Sequence, residues 1–278
     1  MGEGGSVIAI LDGPMGTELD ARGVATPGAL WSAEAIVHAP EVVAAIHRDY
    51  AAAGATVHTA NTFRTKRRQA GDRWEELLCL AVSIARASVP SGHRVAGSVA
   101  PLEDCYRPDS SPADPRPEHR ELCRALAAAG VDLLLCETFP HVGEALVALE
   151  EAAATGLPVW VSFTAGPEAD LLTPGEVERG AREAVLRGAS AVLVNCVPAA
   201  RTLDYVARLG GLGVPFGAYA NAGSPEEGLG WGAAGPEAAR VYLELARSWV
   251  NAGATLVGGC CGTGPAHIEA LAKHFGGQ

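Results

Sequence analysis

The sequence lacks the features of a membrane protein, a secreted scaffold or a nucleic-acid-binding protein. No apolar run in its 278 residues is long enough to cross a membrane, and the N-terminus lacks the basic and apolar regions of a secretory signal. No basic run is longer than residues 66–68, and the formal net charge is -11. We therefore expect neither a nucleic acid nor a membrane surface as a partner.

The cysteines and histidines show no regular spacing. The seven cysteines are an odd number without the pattern of a disulfide framework, which predicts a reducing cytoplasm. Four of them are expected to be small buried residues without a role, namely Cys79, Cys105, Cys123 and Cys136. No metal-ligand spacing is found among His38, His47, His58 and His119. His267, early in the last predicted helix, is expected to be exposed.

Short apolar runs alternate with helical patterns along the whole chain. The runs predict strands at residues 7–11, 55–60, 94–99, 131–136, 158–163, 190–194, 214–220 and 254–257. The helical patterns cover residues 40–53, 72–89, 118–129, 141–155, 174–187, 199–209, 236–251 and 265–275. Continuously apolar strands are typical of a parallel sheet covered on both faces. Eight such units in roughly 250 residues predict an α/β fold, a TIM-type barrel that forms a single domain over residues 1–278, and favour it over a doubly wound open sheet.

Polar residues and cysteines occur at the predicted carboxyl ends of these strands. They are Asp12, Asn61, Ser98, Glu137, Asn195, Cys196, Asn221, Cys260 and Cys261. In a parallel barrel the carboxyl ends of all strands share one rim, where the active sites of such enzymes lie. We therefore expect these residues, scattered along the sequence, to converge on one site.

Three of the cysteines at strand ends suggest a metal site. Cys260 and Cys261 follow the last strand, Cys196 follows the sixth, and thiolates suit a soft ion such as zinc. Three ligands leave a fourth position where a thiol substrate could bind and lose its proton. Adjacent strand residues point to opposite faces, so the chain has to bend, and the glycines around the pair permit this. The alternatives are two buried small residues or a strained vicinal disulfide.

Seven short motifs occur together in the order in which one known family carries them. They are Asp12-Gly13, Leu30-Trp31-Ser32-Ala33, Asn61-Thr62-Phe63, Cys136-Glu137-Thr138, Asn195-Cys196, Asn221-Ala222-Gly223 and Gly258-Gly259-Cys260-Cys261-Gly262-Thr263. Together they resemble the homocysteine S-methyltransferases. That family includes betaine–homocysteine and S-methylmethionine–homocysteine methyltransferases and the homocysteine domain of cobalamin-dependent methionine synthase.

The resemblance implies a barrel, a bound zinc ion and homocysteine as the methyl acceptor. It makes Cys196, Cys260 and Cys261 the zinc ligands. It makes Asp12 and Glu137 the candidate catalytic residues, as the acids that hold the homocysteine ammonium group, with Gly13 beside Asp12 in the substrate site. From the residues alone, ordinary capping of a strand end is the alternative for both acids.

Three further residues are candidates for substrate binding. Trp31 matches an aromatic residue that lines the substrate site in relatives with a cationic donor, where its indole face could attract the donor. Otherwise it is a loop tryptophan covering the barrel mouth. Ser32 could hydrogen-bond the amino acid, and Asn195 could orient the site or fill the fourth metal position without substrate. The alternative for Asn195 is a strand-end hydrogen bond.

The methyl donor is less clearly indicated than the acceptor. The betaine enzyme has a Phe-Tyr pair where this chain has Phe63-Arg64, which argues against a betaine site. Residues 30–33, 97–101 and 160–164 look more like the S-methylmethionine enzymes, and S-methylmethionine or S-adenosylmethionine is the favoured donor. One alternative is a homocysteine-binding module that takes its methyl group from a separate corrinoid or folate protein. Another is a non-catalytic zinc- or thiol-sensing barrel. We expect small-molecule substrates and a monomer or small homo-oligomer.

Overall fold

A parallel eight-stranded sheet forms the centre of the protein. A computed structural model describes residues 7–231 and 235–276. The strands are β1 (Ala9–Ile10), β2 (Val57–Thr59), β3 (Arg94–Val99), β4 (Leu133–Phe139), β5 (Val159–Phe163), β6 (Ala191–Pro198), β7 (Phe216–Asn221) and β8 (Leu256–Gly259). Their order is β1-β8-β7-β6-β5-β4-β3-β2, and every pairing is parallel.

The sheet closes on itself between its first and last members. Leu11, just after β1, forms a parallel bridge with Val57 of β2. The backbone N–H of Thr56 donates to the Ile10 carbonyl at 2.8 Å, and the N–H of Asp12 donates to the Val57 carbonyl at 3.0 Å. Every strand thus has two neighbours, and the predicted TIM-type barrel is confirmed.

Helices lie between the strands and cover the outside of the barrel. They are α1 (Gly16–Ala21), α2 (Ala35–His38), α3 (Pro40–Ala52), α4 (Arg67–Ala70), α5 (Trp74–Ser88), α6 (Arg116–Ala128), α7 (Val142–Ala153), α8 (Pro174–Leu186), α9 (Ala199–Val206), α10 (Pro236–Asn251) and α11 (Pro265–Phe275). All eight predicted helices are present. The others, α1, α2 and α4, are four to six residues long and too short to give a periodic pattern. No helix in the described part of the chain could span a membrane.

Two strands run at least three residues further than predicted at their carboxyl ends. β4 and β6 extend to Phe139 and Pro198, so the polar residues expected just after these strands lie inside them. The pairing register shifts between Cys136 and Phe139 on β4, and between Asn195 and Pro198 on β6. Such bulges insert a residue and redirect side chains, and they occur preferentially near active sites.

Side chains alternate between two layers of core. Those that fill the barrel include Leu133 and Leu135 of β4 and Leu193 of β6, whereas Leu134 and Cys136 face the helices. Cys105, Cys123 and Cys136 are buried as predicted, but the prediction for Cys79 is wrong, because it is exposed on the outer surface of α5.

The prediction that His267 is exposed is also wrong. Its ring is fully buried at the start of α11, where Nδ1 accepts from the Gly264 N–H at 3.1 Å and Nε2 donates to the Leu229 carbonyl at 2.6 Å. The histidine therefore joins two loops at the barrel rim, a role that a helical pattern does not reveal.

Substitution of Gly217 tests the close packing of β7 against β8. A Cβ atom at Gly217 would lie 1.8 Å from the Leu256 carbonyl oxygen, and a neighbouring strand backbone cannot easily move away. We expect Gly217→Ala to lower the free energy of unfolding by about 3 kcal/mol, the upper end for overpacking, in urea titrations. Gly175→Ala is the control, because the position is open, and it should change stability by less than about 0.5 kcal/mol. Equal stability of the two variants would contradict the described strand spacing.

Candidate active site

A cavity of about 520 Å³ opens at the carboxyl ends of the strands. The predicted residues that line it are Asp12, Gly13, Trp31, Asn61, Ser32, Ser98, Glu137, Cys196, Cys260 and Cys261. Asn195 and Asn221 are buried behind its wall. Residues from six strands and their loops therefore share one concave surface, as the barrel geometry predicts.

The three cysteine sulfurs meet on one side of this cavity. The Sγ atom of Cys196 lies 2.6 Å from that of Cys260 and 3.5 Å from that of Cys261. All three sulfur atoms lie within 4.8 Å of one another. Residues separated by 64 and 65 positions in sequence thus form one cluster.

Local backbone geometry brings both members of the cysteine pair to the cluster. Gly262 has φ of +80°, a conformation that glycine adopts without strain. The N–H and hydroxyl of Thr263 both donate to the Cys260 carbonyl, at 3.0 and 2.8 Å, and fix the turn. On the other side, Cys196 itself has φ of 53°, unusual for a residue with a side chain. The left-handed step lets Cys196 reach the cavity although Asn195 before it also faces inward.

The sulfur cluster fits a single soft metal ion. Zinc–thiolate bonds of about 2.3 Å put two tetrahedral sulfur ligands roughly 3.8 Å apart. The separation of Cys196 and Cys261 is already close to this value, and Cys196 and Cys260 have to part by about an ångström. Cys260 and Cys261 are only half-buried, so a ligand in the cavity could reach the same ion.

The cluster holds one thiolate more easily than three. Hydrogen bonds with the thiols of Cys260 and Cys261, together with the Tyr106 hydroxyl at 3.4 Å, lower the pKa of Cys196 well below its usual value. The hydrogen bond with Cys196 raises the pKa of Cys260 and of Cys261. A cation is therefore needed to ionise all three sulfurs together.

Glu137 lines the same cavity as the sulfurs and is almost fully buried. Its two carboxylate oxygens accept separate hydrogen bonds, from the Ser98 hydroxyl at 2.5 Å and from the Tyr219 hydroxyl at 3.0 Å. Burial raises the pKa of Glu137 to about 7, against the effect of those hydrogen bonds, and charge on Cys196 raises it further. No basic side chain in the described chain pairs with it, so it lacks a countercharge.

Asp12 is the second buried acid. The Thr59 N–H donates to its Oδ2 at 2.9 Å, yet burial raises the pKa of Asp12 well above its usual value, and Glu137 adds to this. Ring nitrogens of His47 and His58 lie within 4.8 Å of an Asp12 oxygen, a grouping that spacing along the sequence did not indicate. Burial lowers the pKa of His47 to about 3 and that of His58 to about 4, so both are neutral at pH 7. Neither supplies positive charge to Asp12.

Asn195 binds protein groups on three sides. Its Oδ1 accepts from the Thr138 N–H at 3.0 Å and the Ser162 hydroxyl at 2.7 Å, and its Nδ2 donates to the Thr138 hydroxyl at 2.8 Å. Thr138 has φ of 61°, so these bonds stabilise a strained backbone next to Glu137. These contacts favour an orienting role for Asn195 through hydrogen bonds at the strand end. They do not favour Asn195 as a metal ligand.

An aromatic pair, Trp31 and Phe63, lines the more exposed part of the cavity, which we call its outer part. Both residues are half-buried, whereas the lining residues of the inner part, Asp12, Glu137 and Cys196, are buried. The rings of Trp31 and Phe63 are perpendicular, with centroids 6.4 Å apart. A Cβ atom at Gly16 would lie 2.1 Å from the Trp31 ring, so a glycine there is required for the ring position. Behind Trp31, the Ser32 hydroxyl donates to Asn61 Oδ1 and the Asn61 amide donates to the Ser32 carbonyl, both at 2.8 Å.

Sequence reasoning missed several side chains at the site. They include Arg64, Asp104, Cys105 and Tyr106 in loops, Tyr219 on β7 and Ser162 on β5. Tyr219 and Ser162 occupy inward positions of their strands, so strand alternation could have located them. Tyr106 belongs to a long Pro- and Asp-rich loop, and no sequence signal places its hydroxyl at a sulfur atom.

Comparison with known proteins identifies the family. The homocysteine S-methyltransferase family model matches residues 9–275. A homocysteine S-methyltransferase of Escherichia coli strain K12 is 36% identical, over 95% of this chain and 94% of its own length. The S-methylmethionine–homocysteine S-methyltransferase BHMT2 of Pongo abelii is 30% identical, over 98% of this chain and 79% of its own. The chain belongs to the homocysteine S-methyltransferase family.

The solved structures agree with this assignment. The metallated form of the homocysteine methyltransferase MmuM from Escherichia coli aligns with a TM-score of 0.79 at 30% identity, over 96% of each chain. An oxidized form of MmuM aligns with a TM-score of 0.77 and 31% identity, again over 96% of each chain. The barrel described above is therefore the fold of the family, and methyl transfer to homocysteine is its activity.

The burial of Glu137 predicts a pH-dependent cost to stability. The folded state binds the Glu137 proton more tightly than the unfolded chain, so the contribution of Glu137 to the free energy of unfolding is greatest below pH 4.5, falls as the pH rises to about 7 and is then constant. Between pH 5.5 and 8.5 the loss is about 2 kcal/mol. Glu137→Gln removes this pH-dependent loss. The free energy of unfolding of the variant, relative to that of the parent chain, should therefore be about 2 kcal/mol higher at pH 8.5 than at pH 5.5 in urea titrations. Glu41→Gln, which changes an exposed glutamate, is the control. If Glu137→Gln and the parent chain differ in free energy of unfolding by the same amount at both pH values, the account is contradicted.

Proposed function

We propose that this protein makes methionine by moving a methyl group from a small sulfonium donor to homocysteine, with zinc held by Cys196, Cys260 and Cys261. S-methylmethionine and S-adenosylmethionine are the favoured donors. The observation that carries the proposal is that three sulfurs and two buried carboxylates without countercharges line one cavity. The relatives named for S-methylmethionine and the metallated MmuM structure support the choice of donor class and of a metal.

The charges of the cavity suit the homocysteine ammonium group. Asp12 and Glu137 are buried acids whose pKa values are raised by desolvation, so a bound cation would stabilise their charged forms. Ser98 and Tyr219 donate to Glu137 and hold its carboxylate in place for this contact. With the ammonium group at the acids, the thiol of the same molecule points to the sulfur side of the cavity.

The zinc ion would supply one chemical effect, which is to keep a bound thiol ionised at neutral pH. The chain's own residues then arrange the transfer. Trp31 and Phe63 provide aromatic faces that attract a sulfonium centre and hold its methyl group toward the cavity interior. Tyr106 and Asn195 fix the Cys196 side of the cluster and the backbone beside Glu137. Alignment of two bound substrates is the principal contribution of the protein.

The two substrates supply all the atoms and electrons of the methyl transfer. A new bond forms between the homocysteine sulfur and the methyl carbon while the bond between that carbon and the donor sulfur breaks. The bonding electron pair stays with the departing thioether, and the thiol proton of homocysteine is released to solvent. With S-methylmethionine as donor, both products are methionine.

Assay of the zinc-loaded protein tests this proposal. We expect methionine from homocysteine with S-methylmethionine or S-adenosylmethionine, and little with betaine. Cys260→Ser should lose bound zinc and activity together, because serine is a poor ligand for a soft thiolate site. Cys79→Ser, which changes an exposed cysteine of α5, should keep both.

Two results would contradict the proposal in different ways. Full activity of metal-free Cys260→Ser protein would exclude a role for zinc in the transfer. Activity that requires a methylated corrinoid or folate protein, with none from sulfonium donors, would favour the module that depends on a separate methyl carrier.

A further inference from the structure

Arg64 is the positively charged member of the cavity lining among the described residues. It follows Phe63 directly, and its guanidinium carbon lies 5.6 Å from the centre of the Phe63 ring. The other lining residues with charge are acids, namely Asp12, Asp104 and Glu137. A lone guanidinium group in an acidic cavity needs an explanation.

The guanidinium group of Arg64 has no hydrogen-bond or ion-pair partner in the described chain. Its Nε is buried without a hydrogen-bond acceptor, and no carboxylate lies within ion-pairing distance. The neighbouring arginines differ in this respect, since Arg67 pairs with Glu121 and Arg68 pairs with Glu118. An unpaired buried donor on arginine is costly, so an acceptor from outside the chain is expected.

Nearby Lys66 cannot replace Arg64 as an anion-binding group. Its side chain is buried, its Nζ donates to the Pro101 carbonyl at 2.5 Å, and it lies outside the cavity lining. Burial lowers the pKa of Lys66 to about 7, and the charge of Arg64 lowers it further. Arg64 is therefore the positive group that a ligand would meet.

The position of Arg64 favours the donor over homocysteine. Homocysteine is expected at the sulfurs and at the buried acids, in the inner part of the cavity. Arg64 is only half-buried and adjoins the ring of Phe63, which packs against Trp31 at the outer part, where a sulfonium centre would lie. A ligand that binds to both the aromatic rings and the Arg64 guanidinium would carry a positive charge and a negative charge a few bonds apart.

We propose that Arg64 binds the carboxylate of the methyl donor and thereby selects zwitterionic amino-acid sulfonium donors over those without a carboxylate. A planar guanidinium can pair with a carboxylate through two parallel hydrogen bonds, which gives orientation as well as affinity. This inference rests on the proposed function, because it assumes that the donor occupies the outer part of the cavity.

Binding of two matched ligands tests the role of Arg64 without requiring turnover. S-methylmethionine and its carboxamide share the sulfonium centre and differ in the carboxylate. In equilibrium dialysis with the zinc-loaded protein, the parent chain should bind the acid about 30-fold more tightly than the amide, as expected for a charge-assisted contact. Arg64→Gln should weaken binding of the acid by about the same factor and leave the amide unchanged.

Two further variants provide controls. Arg64→Lys keeps the charge but loses the paired geometry, and should recover part of the preference for the acid. Arg67→Gln removes a nearby arginine that lies outside the cavity and pairs with Glu121, and should leave both ligands unaffected. Zinc content and circular dichroism establish that each variant is folded.

The outcomes separate this inference from the proposed function. If Arg64→Gln weakens acid and amide equally, or raises the KM for homocysteine and not the KM for the donor, the assignment of Arg64 to the donor carboxylate is overturned. If the parent chain shows the acid preference, and Arg64→Gln loses it, the assignment stands even when no sulfonium donor is turned over. Absence of turnover with sulfonium donors would then contradict the proposed function and leave the assignment of Arg64 intact.

Discussion

The site depends on how the backbone leaves the sheet at β6. Cys196 has to face the cavity directly after an inward-facing asparagine, and this requires a left-handed residue and a bulge in the pairing with β7. Left-handed backbone at a residue with a Cβ atom costs of order 1 kcal/mol or more, so it persists only when neighbours fix it. Here the Asn221 amide donates to the Cys196 carbonyl at 3.0 Å, and Cys196 binds the cysteine pair through its sulfur.

The same constraint extends to the acid on β4. Thr138, beside Glu137, is also left-handed, and the Asn195 amide group binds both its N–H and its hydroxyl. One asparagine thus couples the strand that carries a sulfur to the strand that carries a carboxylate. This coupling explains why Asn195 faces inward yet is fully buried behind the cavity lining, although it adjoins a cysteine of the cluster.

The sequence predicted the architecture well because eight apolar strands alternating with helices admit few closed arrangements. It also predicted which side chains converge, because the carboxyl ends of parallel strands meet at one rim. It could not predict the bulges, which depend on hydrogen bonds between distant strands, nor the contact between Tyr106 and Cys196, which depends on the path of a long loop. The burial of His267 and the exposure of Cys79 were missed for a related reason, since both depend on what packs against one face of a helix.

The central claim is that three sulfurs from two strand ends hold one ion that still accepts a thiol. X-ray absorption at the zinc edge of the loaded protein measures this directly. We expect about three sulfur neighbours at roughly 2.3 Å in the protein alone and a fourth after homocysteine is added. A metal with fewer than three sulfur neighbours, or a sulfur count that stays the same with saturating homocysteine, would contradict the account.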